Sequence, residues 1–183
     1  MRAFQFPLHD PEAFSSLYQK NHLYVFRFIY GMMGGPLEEV EDLTCDTFMR
    51  AWKARSGFKG NEHEALCWLF TIARHLVIDA HRKRKGRMNF KDFSLDNELA
   101  ENLLQSADPS PEEKAIIQEQ VNRLWRALNR LPDEKREVLV LRYLLDWQVK
   151  EIAGYVRKEE NTMSVFIRRC LEEIRLNWPP GSD

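Results

Sequence analysis

The chain has 183 residues, 44% of them hydrophobic, which is enough to build cores and argues against wholesale disorder. Its 27 lysines and arginines nearly balance 28 aspartates and glutamates, giving a formal net charge of −1, so any polyanion-binding surface must be local and offset by acidic surface elsewhere. No apolar run approaches the roughly 20 residues of a membrane span, so no membrane insertion is expected, and the start, broken by Pro7 and Pro11, does not read as a signal peptide.

Strand patterns are absent and helical periodicity recurs. Phe14, Leu17, Tyr18, Val25, Phe28, Ile29 and Met32 make a first stripe that ends at Gly34-Gly35-Pro36. Val40, Leu43, Thr47, Phe48, Ala51 and Ala54 make a second. That second helix is acidic near its start, with Glu38, Glu39, Glu41, Asp42 and Asp46. Carboxylates suit a helix N-terminus, and they also suit a docking face for a basic partner. Arg55–Ala65 reads as a loop with two glycines.

The third helix, from about Glu64 to Arg84, buries Leu66, Leu69, Phe70, Ala73, Leu76, Val77 and Ala80 at helical spacing. It ends in Arg82, Lys83, Arg84, Lys85 and Arg87. One or two cations complement a helix C-terminus, but five so close together repel one another, which favours a polyanion as their partner. Steps of four and three put Trp68, Ile72, His75, Asp79 and Arg82 in one line off the apolar stripe. Such a row can stack on bases, read their edges and grip phosphates, although Trp68 also suits packing under the preceding loop.

From Arg87 to Pro111 periodicity fades, and Asp92, Asp96, Glu98, Glu101 and Asp108 outweigh Arg87 and Lys91, which reads as an acidic linker with room for a short helix around Asp96–Leu104. Beyond it, Ile116, Ile117, Val121, Leu124, Leu128 and Leu131 form a stripe that stops before Pro132, and Asp133–Leu145 reads as a further helix. Gln148–Val156 is short, with Val149, Ile152, Ala153 and Val156 in register. Asn161–Trp178 carries Met163, Phe166, Ile167, Cys170 and Ile174 on one face and Arg168, Arg169 and Arg175 off it. A short helix, a turn of about four residues and a longer helix near the C-terminus have the grammar of helix-turn-helix, with Arg157, Lys158 and Arg168 placed to flank a groove-inserted terminus.

Catalytic constellations are missing. No glycine-rich phosphate loop occurs, and His9, His22, His63, His75 and His81 form no metal spacing, so no catalytic residue, metal or cofactor is expected and the chain does not read as an enzyme. Cys45, Cys67 and Cys170 match no CxxC pair or zinc set. They read as buried or half-buried thiols of a protein kept in the reducing cytoplasm.

Together these pieces resemble a bacterial RNA polymerase sigma factor of the extracytoplasmic-function (ECF, group 4) family over about nine tenths of the chain. "FSSLYQKNHLYVFRFIY", "EEVEDLTCDTFMRAW" and "CWLFTIARHLVIDAHRKRK" resemble sigma domain 2, through Glu41-Asp42, Phe48, Ala51-Trp52, Trp68-Leu69, Ile72-Ala73-Arg74 and Asp79. "LNRLPDEKREVLVLRYLLDWQVKEIAGYV" resembles sigma domain 4, through Leu131-Pro132, Arg136, Leu141-Arg142-Tyr143 and Glu151-Ile152-Ala153. The resemblance implies an all-α chain of two small helical domains, residues 1–86 and 112–183, joined by the acidic linker 87–111. It implies core RNA polymerase, through its β′ clamp helices and β flap, and promoter DNA as partners, and leaves open an anti-sigma factor. Polymerase docking is implied for Glu38, Glu41, Asp42 and Asp46, and minus-ten recognition and melting for Trp68, Ile72, His75, Asp79, Arg82, Arg84 and Lys85 together with the Arg55–Ala65 loop. Minus-thirty-five recognition is implied for Lys158, Asn161, Thr162, Ser164, Val165, Arg168 and Arg169, and passage through the polymerase toward the RNA exit path for the linker.

The chain departs from the family pattern near Arg157, where a glycine is usual, and at "NTMSVF", where Asn161, Ser164 and Phe166 replace a glycine, a lysine and an arginine. His75 stands where asparagine is common, and Cys45 where glutamine is. Three functions compete. The leading one is a promoter-specificity subunit. The second is a sigma-like interaction protein with weakened minus-thirty-five recognition that depends on, or antagonises, another factor. The third is an autonomous helix-turn-helix regulator, against which the acidic second helix argues.

Overall fold

A computed structural model describes residues 7–85 and 111–178. The expected linker up to Ser110, with the short helix suggested around Asp96–Leu104, lies outside them. The described helices are α1 (Pro11–Met33), α2 (Leu37–Ala54), α3 (Glu62–Lys85), α4 (Pro111–Arg130), α5 (Asp133–Leu139), α6 (Val149–Val156) and α7 (Glu160–Leu176), with a 3-10 turn at Arg55–Gly57 and a π turn at Val140–Leu144. No strand occurs among the described residues. The helices fall into two compact units, α1–α3 and α4–α7.

In the first unit, Asp10 caps α1, its carboxylate accepting from the Glu12 and Ala13 N–H groups at 3.4 and 3.3 Å. Leu17, Val25, Phe28, Ile29 and Met32 are buried as the stripe requires, but Tyr18 is exposed and lies edge-on to Phe48 of α2 at 4.8 Å. Phe14 meets Trp52 in the same way at 5.0 Å, so an aromatic seam joins α1 to α2. Phe28 stacks on Phe70 of α3 at 4.6 Å. Gly34, at φ 77°, takes the left-handed conformation just after α1. Helix α3 begins at Glu62 rather than Glu64 because Asn61 caps it. Asn61 Oδ1 accepts from the Glu64 N–H at 2.9 Å, and Glu64 Oε2 accepts from the Asn61 N–H at 2.7 Å.

The second unit is fixed by side chains that close the helix ends. Arg136 is 4% exposed, and its guanidinium donates to the carbonyls of Leu128, Asn129 and Leu131 at 3.0, 3.1 and 3.2 Å. It thereby satisfies the C-terminal carbonyls of α4 that have no helical partner. Burial lowers its pKa from the usual arginine value, and Asp133 opposes that shift. Lys135 of α5 pairs with Glu173 of α7, and that hydrogen bond raises the lysine pKa. Tyr155 of α6 donates to the buried Glu137 of α5 at 2.8 Å.

The helix expected over Asp133–Leu145 widens into a π turn at its end. The Leu145 N–H reaches back to the Val140 carbonyl at 3.1 Å, and the Trp147 N–H to that of Leu141 at 2.9 Å. Gln148 is the N-cap of α6 rather than its first residue, and its N–H donates to Glu151 at 2.7 Å. Helix α4 is phased differently from its expected stripe. Trp125 and Ala127 are buried, whereas Ile116 and Leu124 are exposed. Turning the larger tryptophan ring inward removes more apolar surface from water than burying Leu124, and it rotates Leu124 outward.

Candidate functional site

Three helix faces carry the predicted site residues. On α2, Glu38, Glu41, Asp42 and Asp46 are all exposed, while Val40, Thr44, Thr47, Phe48 and Ala51 are buried on the other side. Thr44 and Thr47 hold their hydroxyls on the carbonyls of Val40 and Leu43 at 2.7 Å, so their burial leaves no stray donor. Beside the carboxylates runs an open apolar groove of about 350 Å³, lined by Phe14, Tyr18, Cys45, Phe48, Met49, Trp52 and Lys53. Arg55 covers one edge, its guanidinium 3.4 Å from the Trp52 ring centroid. The sequence reading missed this groove. Its signal was a second helical row, Cys45, Met49 and Trp52, at steps of four and three. Cys45 is exposed there, against the expectation of a buried or half-buried thiol, because it belongs to this outer row.

On α3, Leu69, Phe70, Ala73, Leu76 and Val77 are buried. That anchoring leaves His75, Asp79 and Arg82 exposed, with Trp68 and Ile72 half-buried along the same line. Asp79 and Arg82 approach to 3.9 Å, both well exposed, a contact worth little in water. The side chains of Arg84 and Lys85 lie outside the described ones. Phe58, which the sequence reading did not single out, lies 5.1 Å from Trp68 at an interplanar angle of 31°. Gly60 permits this, since a Cβ there would sit 2.8 Å from Phe58 Cζ and 2.9 Å from Glu64 Oε2. Trp68 therefore does pack under the preceding loop, and its ring is still only half-buried. His63 and Cys67, one turn apart, bring Nε2 and Sγ to 3.7 Å.

In the second unit, α6, the turn at Arg157–Glu159 and α7 form the helix-turn-helix. Arg157 takes the left-handed conformation at φ 56°. The Lys158 N–H closes onto the Ala153 carbonyl at 2.9 Å, a Schellman-type end that favours glycine at Arg157. Met163, Ile167 and Cys170 are buried, and burial raises the Cys170 thiol pKa. Lys158, Asn161, Thr162, Ser164, Val165, Arg168 and Arg169 are all exposed. Phe166 is half-buried, with Lys158 Nζ 5.4 Å from its ring centroid. Among the described residues no group of histidine, cysteine and carboxylate side chains is arranged to hold a metal.

Comparison with known proteins agrees with this geometry. Residues 17–87 match the Sigma-70 region 2 family model and residues 122–174 the Sigma-70 region 4 model. The chain is 32% identical over 165 residues to the ECF RNA polymerase sigma factor SigM of Bacillus subtilis (strain 168), covering 90% of this chain and 94% of that one. It is 27% identical over 168 residues to SigX of the same organism, covering 90% and 82%. Among solved structures it is similar in fold to CnrH in complex with the cytosolic domain of CnrY, with a TM-score of 0.61 and 21% identity over 92% of this chain and 88% of that one. It is likewise similar to the sigma factor RpoE in complex with the anti-sigma factor NepR from Bartonella quintana, with a TM-score of 0.56 and 20% identity over 90% and 95%.

Proposed function

Because the chain belongs to the ECF family of RNA polymerase sigma factors, we propose that it is the promoter-specificity subunit that binds core RNA polymerase, recognises promoter DNA and starts transcription, without chemistry of its own. The acidic α2 face, Glu38, Glu41, Asp42 and Asp46, docks on the basic clamp helices of the β′ subunit, and the apolar groove beside it adds buried contact. Trp68, Ile72, His75, Asp79 and Arg82 read and hold the opened minus-ten strand, with Arg84 and Lys85 continuing the row in sequence. Helix α7 enters the minus-thirty-five duplex with Lys158, Asn161, Thr162, Ser164, Val165, Arg168 and Arg169. Residues 1–86 and 112–183 are the two working domains, and the acidic linker passes along the polymerase toward the RNA exit path. This places the protein in the cytoplasm, with its polymerase and promoter, and none of the described helices is long and apolar enough to cross a membrane.

The reading rests above all on α3, a helix anchored on one face by five fully or nearly buried side chains and displaying an aromatic, an imidazole and a cation in line on the other. Anchoring of that kind presents side chains rigidly, as base recognition requires. A paired base hides its edges and faces, so an aromatic with polar neighbours suits an unstacked strand better than a duplex. Run-off transcription with purified core polymerase tests the function. The chain should bind core and produce promoter-dependent transcripts, and absence of both refutes the reading.

A second reading is favoured by α7 itself, where Ser164 and Phe166 replace basic residues of the family pattern and Phe166 holds Lys158 near its ring. Here the protein binds core but needs, or antagonises, another factor at the minus-thirty-five element. Core binding without autonomous transcription distinguishes it.

A further inference from the structure

Reading α7 as the duplex reader, on which this inference rests, leaves Val165 without a stated task. Val165 is 37% exposed. Asn161 and Thr162 precede it by four and three positions, and Arg168 and Arg169 follow by three and four, so all five share one outer face opposite the buried Met163, Ile167 and Cys170. A branched hydrocarbon at the centre of a polar, cationic face gains nothing from water. The surrounding charge indicates what covers it. Arg157, Lys158, Arg168 and Arg169 are exposed around this face against the carboxylates of Glu159 and Glu160, a balance that attracts a polyanion rather than an apolar protein partner.

The balance is narrow, and Lys158 lies over Phe166, so phosphate contacts are few and base contacts carry more of the discrimination. Among the groups displayed in the major groove, the C5-methyl of thymine is the apolar one. We propose that Val165 is a specificity-determining residue that seats a thymine methyl in the minus-thirty-five duplex, while Arg168 and Arg169 hold the flanking phosphates.

The test uses holoenzyme assembled from core RNA polymerase and the full chain. Selection from a promoter library randomised at the minus-thirty-five positions yields the preferred duplex. Each thymine in it is then replaced by deoxyuridine, which removes only the methyl. Wild type should bind one such duplex about fourfold more weakly, the effect of uncovering roughly one buried methyl. Val165→Thr, which keeps a methyl, should lose about as much, and Val165→Ser should bind thymine and uracil duplexes equally. Because the side chain is exposed, both variants should keep the helicity of wild type, which circular dichroism checks. A preferred duplex without thymine, a wild type indifferent to every deoxyuridine, or an undiminished thymine preference in Val165→Ser overturns the role of Val165 alone. A selection that returns no minus-thirty-five information overturns α7 as a duplex reader, and the proposal with it.

Discussion

Arg157 holds φ at 56°, a conformation glycine adopts freely and a side chain with a Cβ does not. Arg157→Gly should therefore stabilise the helix-turn-helix by about 1 kcal/mol, read as slower amide hydrogen exchange in α6 and α7. Faster exchange would mean that the arginine makes compensating contacts. Arg136 behaves in the opposite way. Its buried guanidinium serves three carbonyls, so Arg136→Ala should destabilise the second unit by about 2–4 kcal/mol. Arg136→Lys should recover little, because an ammonium lacks the planar fork that spans them. A urea midpoint for Arg136→Lys equal to that of wild type would contradict this. Both positions show what was legible at this scale. The family pattern marked Arg157 as unusual and Arg136 as matching, but neither the left-handed turn nor the triple carbonyl cap can be read from periodicity, since each is set by where the next helix begins.

Among the helices, α2 and α3 make separable predictions. Asp42→Arg or Asp46→Arg should weaken binding to core polymerase by more than about 1 kcal/mol with helicity unchanged, since both carboxylates are exposed. Equal affinities for both variants and wild type would remove α2 as the docking face. Replacing Arg82 and Lys83 of α3, both exposed, with alanine should lower the slope of log K against log salt for promoter binding by about 0.7–0.9 per cation that touches phosphate. An unchanged slope would show a solvated helix end. Helix α3 was legible because Leu69, Phe70, Ala73, Leu76 and Val77 admit one phase. Helix α4 was not, because Trp125 and Leu124 are adjacent apolar residues offering two phases, and the larger ring decides. The contact of Phe58 with Trp68 crosses a loop whose path depends on Gly60, beyond the reach of any helical template.

Taken as a whole, the chain carries a net charge of −1 although two of its helix faces are read as touching DNA. The carboxylates of residues 87–111 contribute to that balance, so the free chain should bind random duplex poorly until core polymerase engages it. Converting Asp92, Asp96, Glu98, Glu101 and Asp108 to their amides adds five charges to −1, giving +4. The free variant should then bind non-specific duplex measurably at low salt, and lose that binding as salt rises, in fluorescence anisotropy. Binding no stronger than wild type would show that the linker charge does not screen the chain from DNA. The all-helical class and the family were legible together, because Glu41-Asp42, Trp68-Leu69 and Leu131-Pro132 belong to different helices or joints and no single core demands all of them.

The π turn at Val140–Leu144 makes length in this segment an angular quantity. Its wider ring stores one residue more than an α-helical turn holds. Removing a single residue there would let α5 run on as regular helix, and everything downstream would arrive turned by about 100°. Tyr155 would then swing off Glu137, and the outer face of α7 would point elsewhere. A one-residue deletion between Val140 and Leu144 thus acts as a steering error, leaving each helix intact and aiming the last one wrongly.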